Sequence, residues 1–416
     1  MGAHLAGCGG MTYDVGMESV AAASPRHLHV SLCATALAVY GSYSLVRTPV
    51  LPLFARSIRL PPELIGLVVA ASTITGIFLK LPAGALSDLF GRRRVLILGA
   101  AIFALAPFLY LLPHSAASLI SLRFVHGAAT AVFGPVMAAL ISDLAPRERR
   151  GRWLGTYAAA QSAGNASGQL LGGVLLSLGG FFYPFVSAGV CGALGLLLLP
   201  RLPVADHKLF GARMSGRLCD SLRLVLTDRA ILLISVATAG QYLANGAFVG
   251  FLPLYAQDAA GLAPWQIGIL FGVQTGCVLA FRPVLGTLSD HVGRAPVMVG
   301  GLLTSAAALL LLPSLRSFAV LLLAAGLYGA AFAATSATSM AWITDQASRS
   351  TYGTAQGAYG TIFDVGDAAG PIVAGVLIGA LGYGLAFRLL AMPVVVLALF
   401  LSLTSWWLRR TRDAVV

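Results

Sequence analysis

Apolar stretches long enough to cross a bilayer recur along the whole of this 416-residue chain, among them 95–113, 185–200 and 320–344. About twenty consecutive apolar residues span a hydrocarbon core as a helix. Within lipid only a helix or a closed barrel satisfies its own backbone amides. None of the stretches alternates as a strand would, so the chain is expected to be an all-α membrane protein. Runs between charged or Pro/Gly-rich breaks give twelve transmembrane helices, beginning near His29, Glu63, Val95, Ala117, Trp153, Phe182, Arg229, Pro264, Pro296, Phe318, Gly353 and Leu385. Only 10% of the residues are charged, against about 25% in soluble domains, which excludes a water-soluble globule.

A net charge of +12 would suggest nucleic acid if its arginines lay together on a soluble surface. With both termini on one side, however, nineteen Lys and Arg fall on that side and four (Arg56, Arg59, Arg316 and Arg388) on the other. This is the positive-inside bias. It predicts cytoplasmic termini, a multi-pass protein of the bacterial inner (plasma) membrane, and no nucleic-acid partner. Residues 1–28 lack a basic region followed by an apolar core and read as a cytoplasmic tail, not a cleaved signal. The five cysteines show no paired spacing, so neither a disulfide framework nor a metal site is expected.

The phrase GALSDLFGRRR at 84–94 returns as GTLSDHVGRAP at 286–296, an offset of 202 residues. The same offset relates Asp143 to Asp345, Gly164 to Gly366, Gly168 to Gly370 and Gly173 to Gly375. LPLFA at 51–55 faces LPLYA at 252–256, one residue out of register. The chain is therefore two pseudo-symmetric six-helix bundles, 29–200 and 229–408, with a cytoplasmic linker at 201–228 and a short tail at 409–416. Parallel repeats of this kind are one way in which secondary transporters place a site at the membrane midplane.

These residues resemble the major facilitator superfamily, and its drug:proton antiporter-like branch in particular. Gly84, Asp88, Gly91, Arg92 and Arg93 match the family's signature between helices 2 and 3, and Gly286, Asp290, Gly293 and Arg294 match it more loosely. Leu119-x3-Arg123-x2-His126-Gly127 is similar to the family's helix-4 pattern. The glycines at 155, 164, 168, 172 and 173 have the spacing of its helix-5 antiporter pattern, and the helix-11 copy keeps the proline of that pattern as Pro371. The resemblance implies a cytoplasmic gating network of Gly84, Asp88, Gly91, Arg92 and Asp143, with Asp290, Arg294 and Asp345 as its second copy. Elementary electrostatics gives Asp88 the same part: an aspartate at a helix end accepts from the free amides of another helix's N-terminus. Gly164, Gly168, Gly366 and Gly370, with Pro371, are expected to be close-packing seams.

Six ionisable residues fall inside spans: Arg47, Lys80, Arg123, Arg282, Asp364 and Asp367. Charges within a membrane mark pathways and binding sites. They lie on helices 1, 2, 4, 8 and 11, whereas helices 3, 6 and 9 carry none in their cores, as expected when the first group lines a wetted path. Asp364 lies about 16 Å along helix 11. It reads either as a proton carrier or as a static ion pair with Lys80 or Arg282, and Asp367 lies one turn further out. Arg123 and Arg47 lie at similar depths, as proton-coupling or solute-anchoring groups, with His126 one turn deeper. Lys80 and Arg282 are close enough to the cytoplasmic edge to reach water along their stems. Gln241, Asn245 and Tyr43 add hydrogen-bonding capacity to the cavity, or glue helices together.

No Gly-rich phosphate loop with lysine, no HExxH and no Ser/His/Asp set is present, so an enzyme or an ATP-driven pump is not expected. The expectation is a cofactor-free, monomeric secondary transporter that moves a small organic solute by alternating access, as proton-coupled efflux. Four cations against two anions in the spans favour an anionic, zwitterionic or neutral solute over a cationic one. Proton-coupled uptake of a sugar or organic anion, and a non-transporting receptor on the same fold, are the alternatives.

Overall fold

The computed structural model describes residues 25–113, 115–199, 228–347 and 352–413, and within these all side chains except those at 25–26, 81–86, 88–89, 147, 352–354 and 406–413. Most of the expected N-terminal tail and almost all of the 201–228 linker lie outside the described residues. The first bundle holds α1 (Pro25–Arg47), α2 (Val50–Ser57), α3 (Pro62–Phe90), α4 (Arg92–Leu109), α5 (Ala116–Leu144), α6 (Arg150–Gly179) and α7 (Phe182–Leu198). The second holds α8 (Arg229–Asp258), α9 (Pro264–Val292), α10 (Arg294–Leu311), α11 (Phe318–Gln346) and α12 (Tyr352–Asp413).

Eight stretches among the described residues are long and apolar enough to cross a membrane on composition alone, and the last, of 51 residues, covers both limbs of α12. The helices α4, α6 and α7 complete the twelve. Helix α12 breaks at Gly382, whose φ of 73° is non-helical, so its two limbs are the expected helices 11 and 12. Gly382 is the repeat partner of Gly180 (φ 77°), and Gly91 (φ 88°) pairs likewise with Gly293 (φ 105°). A side chain with a Cβ rarely adopts such angles, so the tight turns recur at the same places in both halves. Pro62 and Pro264, also repeat partners, open α3 and α9, where a missing N–H costs nothing.

Outward-facing Leu98, Leu105, Leu194, Leu197, Leu303, Met392 and Val396 are exposed on α4, α7, α10 and the second limb of α12. These are lipid-facing helices. The glycines make two kinds of seam. Gly164 and Gly168 press on the backbone of Leu37 and Gly41 in α1, and Gly366 and Gly370 press on Ala239 and Leu243 in α8. Those are the same intra-bundle contacts, 202 residues apart. One to two turns on, Gly173 meets Pro264 and Gly268 of α9, while Gly375 meets Pro62 and Glu63 of α3. These contacts join the bundles.

Among the described residues, the close backbone contacts between the bundles lie toward one end. Gly155 and Gly357 lie eighteen residues before Gly173 and Gly375, five turns down the same helix face. Among the described residues, no atom of another helix lies within 4 Å of where their Cβ atoms would be. One continuous apolar core runs from Val50, Leu51 and Phe54 of the first bundle into Phe248, Phe251 and Phe271 of the second. A separate core around Phe103, Phe133, Met137 and Trp153 serves the other end of the first bundle alone. The molecule is thus closed at its arginine-poor end and open at the arginine-rich end, where Arg92, Arg150 and Arg294 begin their helices.

Candidate functional site

The open end leads into a cleft between the bundles with two connected cavities. One, of about 270 Å³, is lined by Tyr40, Tyr43, Arg47, Thr73, Gln161 and Asn165 among others. The other, of about 400 Å³, is lined by Tyr242, Arg282, Ser336, Tyr359 and Phe363 among others. Lys80 and Asp364 belong to both.

Two ion pairs cross the cleft. Lys80 Nζ of α3 stands 2.5 Å from Asp364 Oδ2 of α12, and the Asp364 carboxylate is almost wholly buried. Arg47 at the end of α1 lies 3.5 Å from Asp367 Oδ2. Asp367 also accepts from Thr73 Oγ1 and Asn245 Nδ2, each at 3.3 Å. Charges in so apolar a setting persist only when paired and hydrogen-bonded. The Lys80 side chain is 45% exposed, so it both reaches toward water along its stem and sets its ammonium on Asp364. Arg47 shares the Tyr43 ring with Arg123, its guanidinium 5.9 Å from the centroid, and also faces the acid of the opposite bundle. Arg282 donates to Ser336 Oγ at 3.4 Å and stays exposed on the cleft wall.

Arg123 is fully buried inside the first bundle. Its guanidinium donates to the Tyr43 hydroxyl at 3.4 Å, the Tyr110 hydroxyl at 3.5 Å, the Val68 carbonyl at 3.4 Å, and Ser72 Oγ. It also lies over the Tyr43 ring, 5.6 Å from the centroid. Its hydrogen-bond partners among the described residues are neutral oxygens, so neighbouring dipoles and ring electrons hold the charge. His126 is buried beside it, with Nδ1 3.3 Å from the Tyr110 hydroxyl and its ring edge-on to Tyr43. Gln241 is wholly buried, and neither of its amide atoms is hydrogen-bonded among the described residues.

At the open end, Arg92 pairs with Asp143, and Arg294 pairs with Asp290 at 2.5 Å and with Asp345 at 2.9 Å. The same link thus ties α4 to α5 and α10 to α11. Both links stay within one bundle. Gly84 lies in α3 and Gly91 at its C-cap; the side chain of Asp88 lies outside the described residues. Pro371 packs its backbone against Gly66 of α3, an inter-bundle contact, and its ring against Gly246 and Gly250 of α8, so it serves both kinds of seam.

The family model of the Major Facilitator Superfamily matches residues 32–281 and 235–415. The chain belongs to that superfamily. An uncharacterized MFS-type transporter of Methanocaldococcus jannaschii is 22% identical over 369 residues, 84% of this chain and 91% of that one. Quinolone resistance protein NorA of Staphylococcus aureus is 25% identical over 223 residues, 53% of this chain, which spans about half (56%) of NorA. The crystal structure of the nucleoside transporter NupG superposes with a TM-score of 0.75 at 16% identity, over 90% of this chain and 98% of NupG. A likeness at that identity speaks for the fold alone. As a superfamily member, the protein is a multi-pass membrane transporter and not an enzyme.

Within this superfamily member, some site residues had no sequence signal strong enough to single them out. Thr73 and Thr275 are repeat partners, and each reaches the opposite bundle: Thr73 to Asp367, and Thr275 Oγ1 to Gln169 Oε1 at 2.6 Å. The 202-residue offset would have paired them, but threonine is too common in helices to stand out. Ser72 and Tyr110, which hold Arg123, lie on other helices and are invisible to local patterns.

Proposed function

We propose that this transporter exports a small organic solute by alternating access, in exchange for protons. Both termini and the 201–228 linker would face the cytoplasm, and the monomer would be the working unit. The observation that carries this reading is the pair of ion bridges, Lys80–Asp364 and Arg47–Asp367, laid across the cleft between the two bundles. A bridge of this kind lasts only while the bundles keep one relation to each other, so its charge state and the conformation are linked. Protonating Asp364 removes its charge and frees Lys80. Entry of a solute group that needs either member of the pair has the same effect.

The charge balance of the cleft favours a solute that is not simply cationic. The two bridges cancel, leaving Arg282 on the wall. A zwitterion would place its acid group by Lys80 or Arg282 and its ammonium by Asp364. A proton on Asp364 then competes with the ammonium, and competition is what exchange requires. The similarity to NorA, a quinolone resistance protein, supports export in the same sense. The exposed Arg282 also favours a second reading. For a plain organic anion, protonation of Asp364 would assist binding, and the result would be co-transport and uptake.

Flux into proteoliposomes with and without an imposed pH gradient tests the proposal. Solute movement against the proton gradient's direction, with binding that weakens as pH falls, supports exchange. Binding that tightens as pH falls gives co-transport, and binding without flux in any gradient overturns both in favour of a receptor.

A further inference from the structure

Away from the cleft, the first bundle carries a groove of about 430 Å³ between α4 and α5, on the side that faces lipid. Gly99 and Ala128 form its floor, Phe90, Leu98 and Val132 its walls, and Arg94 stands at its arginine-rich end. Phe90 and Leu98 are 59% and 65% exposed. Arg94 is exposed too, and unlike Arg92 it has no ion-pair partner among the described residues. Nothing in the transport cleft uses it.

The duplication supplies an internal control. In the second bundle the small floor is kept, as Gly301 and Ala330. It is needed there for packing: Gly99 lies against Phe133, and Gly301 lies against Thr335 at the matching place. The cation and the walls are not kept. Arg94, Phe90, Leu98 and Val132 are replaced by Pro296, Val292, Gly300 and Ala334. The floor is therefore explained by helix packing in both halves, and the cation-topped groove is an addition in one.

We propose that this groove binds one anionic phospholipid from the bilayer, its phosphate on the Arg94 guanidinium and an acyl chain along Leu98 and Val132. An apolar channel with a cation at the membrane edge matches both parts of such a molecule. Guanidinium binds phosphate oxygens strongly. The arginine-rich end is, by the positive-inside bias, the leaflet whose surface attracts basic residues.

The full chain is reconstituted in vesicles of equal phosphatidylglycerol and phosphatidylcholine with identical acyl chains, extracted, and its retained lipid measured by native mass spectrometry. The wild type is expected to retain phosphatidylglycerol over phosphatidylcholine by about five-fold, the preference that one arginine beside an anionic headgroup supports. Arg94→Gln should bring the ratio to about one. Ala128→Leu, which fills the floor with the arginine intact, should lose the bound lipid. Arg149→Gln, an exposed arginine at the same end, should match the wild type and so separates this site from general surface charge. Retention in the vesicle ratio by the wild type, an equal loss in Arg149→Gln, or full retention in Ala128→Leu would each overturn the proposal.

Discussion

Arg56 and Asp258 fall within one residue of equivalent places in the two repeats, and they are joined to each other as an ion pair. Repeat partners can touch only near the axis that relates the two halves. Tyr383 donates its hydroxyl to the same carboxylate at 2.9 Å, so the arginine-poor mouth is latched on that axis by three helices.

The latch is partly exposed, and exposed ion pairs contribute about 0–1 kcal/mol. Asp258→Asn should therefore leave the melting temperature nearly unchanged, yet shift the balance of open and closed mouths by up to about five-fold. Spin labels placed on the arginine-poor ends of α3 and α9 would report the shift as a larger long-distance population. An unchanged distance distribution would show that the latch does not bias closure.

Asp364→Asn keeps the shape of the side chain and removes its charge. Proton-driven flux should be lost while surface expression and folding persist. The variant should also lose the pH dependence of solute binding, measured between pH 5 and 8. If that dependence survives, the proton is carried elsewhere.

Arg123 fills a site of hydroxyls and one carbonyl that an apolar chain would leave without their donor. Arg123→Leu leaves the Tyr43, Tyr110 and Ser72 hydroxyls with fewer partners, at about 1–3 kcal/mol for each group left unsatisfied. A fall in thermal stability is expected, and Arg123→Lys should recover part of it. Equal stability of all three forms would contradict a structural load on this arginine.

Gly375→Leu places a branched side chain where the backbone of Pro62 and Glu63 now lies. Closure at the arginine-poor end would then be blocked. A cysteine substituted at Thr73, deep in the cleft, should become reactive to a membrane-impermeant maleimide added from that side. Gly357→Leu, whose Cβ would meet no other helix among the described residues, is the matched control and should leave the labelling low.

Much of the fold could be read from residue order alone. Helix number follows from hydropathy, and the duplication follows from an offset held through Gly91 and Gly293, Gly164 and Gly366, and Asp143 and Asp345. Each of these signals is local or exactly periodic, so a single chain displays it. The pairing of charges is neither. Asp364 had two candidate cations, Lys80 and Arg282, and nothing within helix 11 chooses between them.

The sequence by itself determined that this is a duplicated helical membrane protein with its buried charges confined to the cleft-lining helices. Only the tertiary structure decided that Lys80 takes Asp364, that Arg47 takes Asp367, and which mouth is shut. The reason is physical. Hydrophobicity records how deep a residue sits, but a lone buried charge gains its stability from a partner at about 3 Å, and that partner is brought there by helices 284 and 320 residues away in the chain.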